Sequence, residues 1–184
     1  MNLSQRKGVF MILWINGAFG SGKTTVAEEL NKRIKNSYLY DPENAGYFLR
    51  QNVPDKIKKE DNFQHIPLWR EFNFKMLEYI EKNYDGTVIV PMTIYRKVYY
   101  DEIIGRLRNS GVDIKHFILW AKRDTIIKRL AERGDSENGW AARRIDVCLK
   151  AFNENIKEIM INTENITIEE ISEFIIKSSS LKNI

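Results

Sequence analysis

The stretch Gly17-Ala18-Phe19-Gly20-Ser21-Gly22-Lys23-Thr24 decides how this chain is read. Glycines at its first, fourth and sixth positions let the backbone curl tightly, because they carry no Cβ and accept positive φ. A curled backbone turns successive N–H groups inward and makes a nest for an anion. A helix that starts near Lys23 adds its N-terminal dipole and its unpaired donors. The spacing G-x-x-x-x-G-K-[ST] is that of the Walker A phosphate loop. Lys23 is placed to reach the β- and γ-phosphates of a triphosphate such as ATP, and the Thr24 hydroxyl to ligate Mg²⁺.

The flanks supply the context this motif needs. Val9-Phe10-Met11-Ile12-Leu13-Trp14-Ile15 is a continuous apolar run, the pattern of a strand buried on both faces. After the loop, residues 25–34 place Val26, Ala27, Leu30 and Ile34 at helical spacing. Strand, glycine loop and helix in this order predict that residues 17–24, together with Thr25 at the start of the helix, contact a nucleotide.

The 184 residues fit one domain, expected to span 1–184 with a lid over about 134–146. A net charge of +4 suits a protein that handles phosphates, but is too small and dispersed to argue for nucleic acid. The single cysteine, Cys148, cannot close an internal disulfide. Arg6 and Lys7 ahead of the apolar run imitate a signal peptide, yet cleavage there would destroy the phosphate loop. No apolar stretch is long enough to span a membrane. The expectation is a cytoplasmic protein with a small-molecule substrate, no nucleic-acid partner and no membrane association; its oligomeric state is left open.

Residues 37–40 read as a second strand that ends at Asp41-Pro42. Asp41 then lies at the carboxyl end of that strand, where open α/β sheets bind ligands. It equally reads as the N-cap of a helix over Pro42–Ala45, and the two roles are compatible. A short helix is expected over Gly46–Val53, and a solvated charge run over residues 55–62. Residues 67–80 predict an amphipathic helix with Trp69, Phe72, Met76 and Ile80 as its apolar stripe, read as core before substrate cleft. Residues 87–93 predict a buried strand with no Asp or Glu as far as Ile94, so the usual Walker B acid is missing. Asp41 is the nearest carboxylate that can take over its role at the metal. Thr93, Tyr95 and Arg96 either face the substrate or are ordinary loop polarity.

A helix over Tyr99–Asn109 and a strand over Asp113–Ala121 follow. His116 and His65 lack metal-ligating partners in sequence and read as structural. Asp124 is expected to cap a helix that runs to Arg133. The polar loop Gly134–Gly139 is bounded by glycines and leads into a helix over Trp140–Asp146. Arginines on both sides, including Arg143 and Arg144, are what a phosphate lid requires. The plainer alternative is an exposed basic helix with Arg143 paired to Asp146. Residues 160–163 predict a fifth strand. Thr167-Ile168-Glu169-Glu170 spells a capping box for a last helix with Ile168, Ile171, Phe174 and Ile175 on one face. That face is expected on the sheet; a membrane-surface helix is disfavoured by its acidic polar side.

Several segments carry a family resemblance: residues 15–24, Tyr40-Asp41-Pro42-Glu43, Pro67-Leu68-Trp69-Arg70, Ile89-Val90-Pro91-Met92-Thr93-Ile94, residues 102–108 and Trp140-Ala141-Ala142. The chain resembles the compact P-loop kinases related to nucleoside-monophosphate, shikimate and gluconate kinases and chloramphenicol phosphotransferase. More closely, it is similar to the tunicamycin-resistance ATP-binding proteins of Gram-positive bacteria. The resemblance implies a three-layer α/β P-loop NTPase fold with a small lid. Its five-stranded parallel sheet has the order 2-3-1-4-5, with helices on both faces. It implies ATP and Mg²⁺ at the loop, Arg133 stacked on adenine, Arg143 or Arg144 on the phosphates, and Asp41 at substrate or metal. It also implies binding of tunicamycin, a nucleoside antibiotic, with or without phosphorylating it.

Two functions therefore stand: an ATP-dependent phosphotransferase with Lys23, Asp41, Arg143 and Arg144 as its catalytic residues, or a nucleotide-dependent protein that sequesters the antibiotic. A nucleic-acid or membrane-surface module is a weaker third.

Overall fold

The computed structural model describes residues 10–58 and 61–181. Arg6, Lys7, Val9, Lys59 and Glu60, on which sequence expectations fall, lie outside them. Strand β1 (Met11–Gly17) is buried along its whole length. It lies at the centre of a parallel sheet of order β2-β3-β1-β4-β5, as the resemblance implies. Its neighbours are β3 (Thr87–Pro91) and β4 (Ile114–Trp120), and the edges are β2 (Ser37–Leu39) and β5 (Ile159–Asn162).

Alternation along β1 feeds two cores. Ile12 and Trp14 pack with Trp69, Phe74 and Leu77 of α3 (Pro67–Asn83) and with Ile103, Ile104 and Leu107. The last three belong to one helical run made of Lys97–Tyr100, a π-helical turn Asp101–Gly105, and Arg106–Asn109. Met11, Leu13 and Ile15 pack with Val26, Ala27 and Leu30 of α1 (Lys23–Arg33) on the opposite face. Ile171 and Ile175 of the last helix, Ile168–Ser178, join this second core. Burial on both faces is why β1 reads as an unbroken apolar run. A third cluster joins Ala18 to Ile126 and Leu130 of the helix Arg123–Glu132 and to Ile145, Cys148 and Phe152 of the helix Ile145–Glu154.

Several local expectations change. The helices placed at 42–45 and 46–53 form one, α2 (Glu43–Gln51), and the Asp41 side chain accepts the Glu43 N–H at 2.9 Å at its start, as expected of a cap. On α3 the buried residues are Trp69, Arg70, Asn73, Phe74 and Leu77, whereas Phe72 is exposed and Met76 and Ile80 are half-buried. Arg70 reaches Glu102 and the Gln64 carbonyl, and Asn73 accepts the Tyr40 hydroxyl at 2.7 Å. Polar residues satisfied inside a core hide the helix's true stripe.

The helix after β4 begins at Arg123, and Asp124 stands in its first turn instead of at the cap. Glu164, from the loop after β5, accepts the Lys122 N–H at 2.7 Å and the Thr125 hydroxyl at 3.0 Å. Residues 140–146 form a 3-10 turn, Ala142–Arg144, before Ile145–Glu154 begins. Asp146 pairs with Arg123 instead of Arg143. The capping box forms as expected between Thr167 and Glu170, but Phe174 is exposed while Ile176 takes a buried place.

Candidate active site

The phosphate loop leaves β1 at the point where the sheet order reverses, a crevice that binds ligands in such sheets. Its glycines are required by geometry. Gly17 has φ +147°, and a Cβ there would meet the Leu119 carbonyl oxygen at 2.6 Å and Ser21 Oγ closer still. Gly22, at φ 91°, precedes the first residue of α1. Ser21 N–H closes the turn onto the Ala18 carbonyl at 3.1 Å.

The base of the loop is held to the end of β3. Buried Asn16 accepts the Ile94 N–H at 2.9 Å and donates Nδ2 to the Ile94 carbonyl at 2.8 Å, which extends the β1–β3 pairing by a side chain. The Thr93 hydroxyl donates to the Gly17 carbonyl at 2.8 Å. Where many phosphate-loop proteins carry an acid, this chain has a threonine tied to the loop backbone.

Lys23 Nζ donates to the Ala18 carbonyl at 2.9 Å and lies 5.6 Å from the Phe19 ring centre. Burial lowers its pKa to about 8; Cys148 and Glu43 offset part of that shift, and Arg133 adds to it. Burial also pushes the Cys148 thiol up to about 12, so it is inert as a nucleophile at neutral pH.

Three cavities meet around this loop. A small one of about 190 Å³ is bordered by Lys23, Thr24, Asp41, Glu43, Thr93 and Arg133. One of about 590 Å³ runs past residues 20–25 to Arg129, Thr163 and Ile166. The largest, about 810 Å³, lies on the other side, between Phe19 and Trp140 and the segment Asn62–Gln64. Arg133 borders all three.

The structure thus brings Lys23, Thr24, Asp41 and Arg133 to one place. Thr25 borders the 590 Å³ cavity with the loop residues 20–24. Arg143 and Arg144 border none of these three cavities. Arg143 is exposed, and Arg144 stacks over the Trp140 ring at 4.0 Å. Trp140 in turn packs edge-on against Phe19, ring centres 4.6 Å apart, so the segment around Trp140 rests on the phosphate loop through aromatic contact.

Sequence reasoning passed over Glu43, Arg129 and the Asn62–Gln64 pair. Arg129 holds Thr163 with a fork, Nη1 to Oγ1 and Nη2 to the carbonyl, both at 2.9 Å. Its i,i+4 spacing from Arg133 was the available signal. Asn62 and Gln64 are placed by a 3-10 turn, Phe63–His65, that has no sequence period.

Thr24, Asp41 and Glu43 offer oxygen ligands around one small cavity, a donor set that fits Mg²⁺ shared with phosphate oxygens and water. Among the described residues no group of three or more His, Cys, Asp or Glu forms a separate metal cage, and no helix is long and apolar enough to cross a membrane.

Comparison with known proteins agrees with this geometry. A tunicamycin resistance protein of Deinococcus radiodurans superposes with TM-score 0.81 at 25% identity, over 96% of this chain and 98% of that one. A cytidylate kinase of Sulfurisphaera tokodaii is 25% identical over 90% of this chain and 93% of its own length. A protein described as a probable thymidylate kinase of Methanococcus aeolicus is 27% identical over 91% and 95%. The expected likeness to tunicamycin-resistance proteins within the small P-loop kinases is borne out. A model of the AAA domain matches residues 12–157, from β1 through the helix Ile145–Glu154, and the chain belongs to that family.

Proposed function

We propose that this protein is an ATP-dependent phosphotransferase with an alcohol group as acceptor, acting on a nucleoside-like small molecule such as tunicamycin. The observation that carries this reading is the 190 Å³ cavity. It shares Gly20, Lys23 and Thr24 with the 590 Å³ cavity and Phe19 and Glu43 with the 810 Å³ one. A triphosphate in the first and an acceptor in the second would meet beside Lys23, Asp41 and Arg133.

In that arrangement the loop N–H groups and Lys23 hold the phosphates. Mg²⁺, held by Thr24 with Asp41 or Glu43, would neutralise charge on the phosphate oxygens. Asp41 accepts the proton of the acceptor hydroxyl as its oxygen bonds to the γ-phosphorus. The bond from that phosphorus to the bridging oxygen breaks and leaves ADP. Arg133 stabilises charge on the transferring group, with Arg143 and Arg144 drawn in only if the lid closes further. With Arg133 at the transferring group, the arginine left on the adenine side of the 590 Å³ cavity is Arg129.

Mass spectrometry of tunicamycin incubated with ATP, Mg²⁺ and the protein tests the reading. It expects a phosphorylated product that the Lys23→Ala variant does not form. Wild-type turnover in that variant would end it. A second reading, sequestration without transfer, is favoured by the threonine at the β3 end; it expects ATP-dependent binding of unmodified antibiotic.

A further inference from the structure

Phe72 belongs to the apolar stripe read as core from the sequence, yet it is 37% exposed and borders a further cavity, a groove of about 260 Å³. Phe48 of α2 and Tyr38 of β2, 56% and 51% exposed, border the same groove. Single exposed apolar side chains are ordinary, but three around one groove leave hydrocarbon in water at one place, the mark of a binding surface. Leu39, Tyr40 and Met76 continue the apolar wall. Tyr40 spends its hydroxyl on Asn73 at 2.7 Å, so what it offers the groove is ring carbon.

The groove adjoins the place of transfer. Leu39 and Asp41 border both it and the 190 Å³ cavity beside Lys23 and Thr24. Helix α2 stands between the groove and the 810 Å³ cavity. Glu43, Tyr47 and Arg50 of this helix border the larger cavity, whereas Asn44 and Phe48 border the groove. The larger cavity also carries the charged side chains of Lys58 and Asp61. The start of α2 thus divides a polar subsite from an apolar one, and the 190 Å³ cavity shares walls with both.

A molecule whose hydroxyl lies at Asp41 can extend in two directions, a polar part past Glu43 and an apolar part past Leu39. We infer that the acceptor is amphiphilic and carries an aliphatic chain, which lies in the groove between Tyr38, Phe48 and Phe72. Away from Asp41 and Asn44 the wall is aliphatic and aromatic, which a run of methylenes matches without leaving a polar group unpaired. At roughly 30 Å³ for a water-sized group, about 260 Å³ holds a chain of about eight carbons. The acceptor, already placed at Asp41, is the molecule nearest the mouth of the groove. The inference rests on the reading of the 190 Å³ cavity as the place of transfer.

Calorimetric titration of the full chain with n-alkyl β-D-glucosides, propyl to decyl, tests it, with Mg²⁺ and a non-hydrolysable ATP analogue present and each glucoside kept below its micelle-forming concentration. Affinity should rise about twofold to fourfold per added methylene up to about eight carbons and then level off. Phe48→Asp sets a carboxylate in the groove at an exposed position. It should cut the rise to less than about 1.5-fold per methylene and leave affinity for the ATP analogue unchanged. Tyr47→Ser, on the other face of the same helix, should keep the rise, which separates the groove from the stability of α2. Affinity independent of chain length, a rise that Phe48→Asp leaves in place, or no binding at any length overturns the inference. So does a wild-type dimer that Phe48→Asp dissociates in sedimentation, because it gives the groove to a second copy. If the chain-length dependence is absent while tunicamycin is phosphorylated, the inference falls and the phosphotransferase reading stands. If the dependence is present and no acceptor is phosphorylated, the groove stands and the transfer reading falls.

Discussion

Lys23 Nζ and the Ala18 carbonyl oxygen are 2.9 Å apart, so the phosphate-loop lysine is satisfied by its own loop. With burial holding its pKa near 8, a fraction of the amines is neutral in mildly alkaline solution. Phosphate oxygens beside it would favour the charged form and raise that pKa on binding. Nucleotide binding should therefore take up protons at about pH 8.5 and almost none at about pH 6.5, and affinity should fall as pH rises through 8. Titration in buffers of different ionisation heat measures this directly; an uptake that does not change with pH would refute it.

Asp41 serves two neighbours, the Glu43 N–H and the small cavity. Asn at this position keeps the helix cap and loses only the basic carboxylate. Asp41→Asn should lower kcat by about 10²–10⁴ and leave ATP affinity unchanged. Asp41→Ala should in addition cost about 1 kcal/mol of stability, read from the denaturant midpoint. An equal loss of ATP binding in Asp41→Asn would assign the residue to the metal.

Arg129 and Arg133 are one helical turn apart and do different work. Arg129 is half-buried and grips Thr163 with both guanidinium nitrogens. Arg133 is exposed and pairs with nearby Asp135 at 2.7 Å. Arg129→Ala should destabilise the fold by about 1–3 kcal/mol, because it strips partners from the buried Thr163. Arg133→Ala should cost less than about 1 kcal/mol yet lower kcat by about 10²–10³. Thermal denaturation and steady-state kinetics on both variants separate the two roles.

The far end of the sheet is built to be acid-labile. His116 is buried against the Tyr100 ring, 5.8 Å between centres, with Glu158 and Arg108 beside it. Burial lowers the His116 pKa, although Glu158 opposes that shift. Burial raises the Glu158 pKa, but the nearby His116 ring and bonds from Arg108 and Tyr100 outweigh it and bring the carboxyl to about 2. Both groups bind protons more readily when unfolded. Stability is therefore full above about pH 6.5, falls below it through His116, and falls further between about 4.5 and 2 through Glu158. Denaturant midpoints at about pH 7, 5.5 and 4 should fall in that order. His116→Phe should flatten the first step.

The phosphate loop and the central strands were legible in the residues because burial enforces their patterns, whereas the sheet order came from the family resemblance. A central parallel strand must be apolar throughout, Gly17 sits where a Cβ would clash, and Gly22 takes a positive φ that other residues avoid. What escaped was set by distant partners. Arg70 and Asn73 look like solvent residues, and only Glu102, Gln64 and Tyr40 make them core. Asp124 has the chemistry of a cap, but Glu164 arrives from another loop to bind the turn. Asn62 and Gln64 are ordinary polar residues until their turn buries them, with Asn62 accepting the Gln64 N–H and Gln64 donating to the Thr93 carbonyl.

The order of the strands also constrains how the molecule is made. Leu13, in the most apolar strand, pairs with Ile89 on one side and Lys115 on the other. Neither partner exists when Leu13 leaves the ribosome. The greasiest segment must wait through most of translation without its neighbours, a delay that favours slow, late closure and invites chaperones.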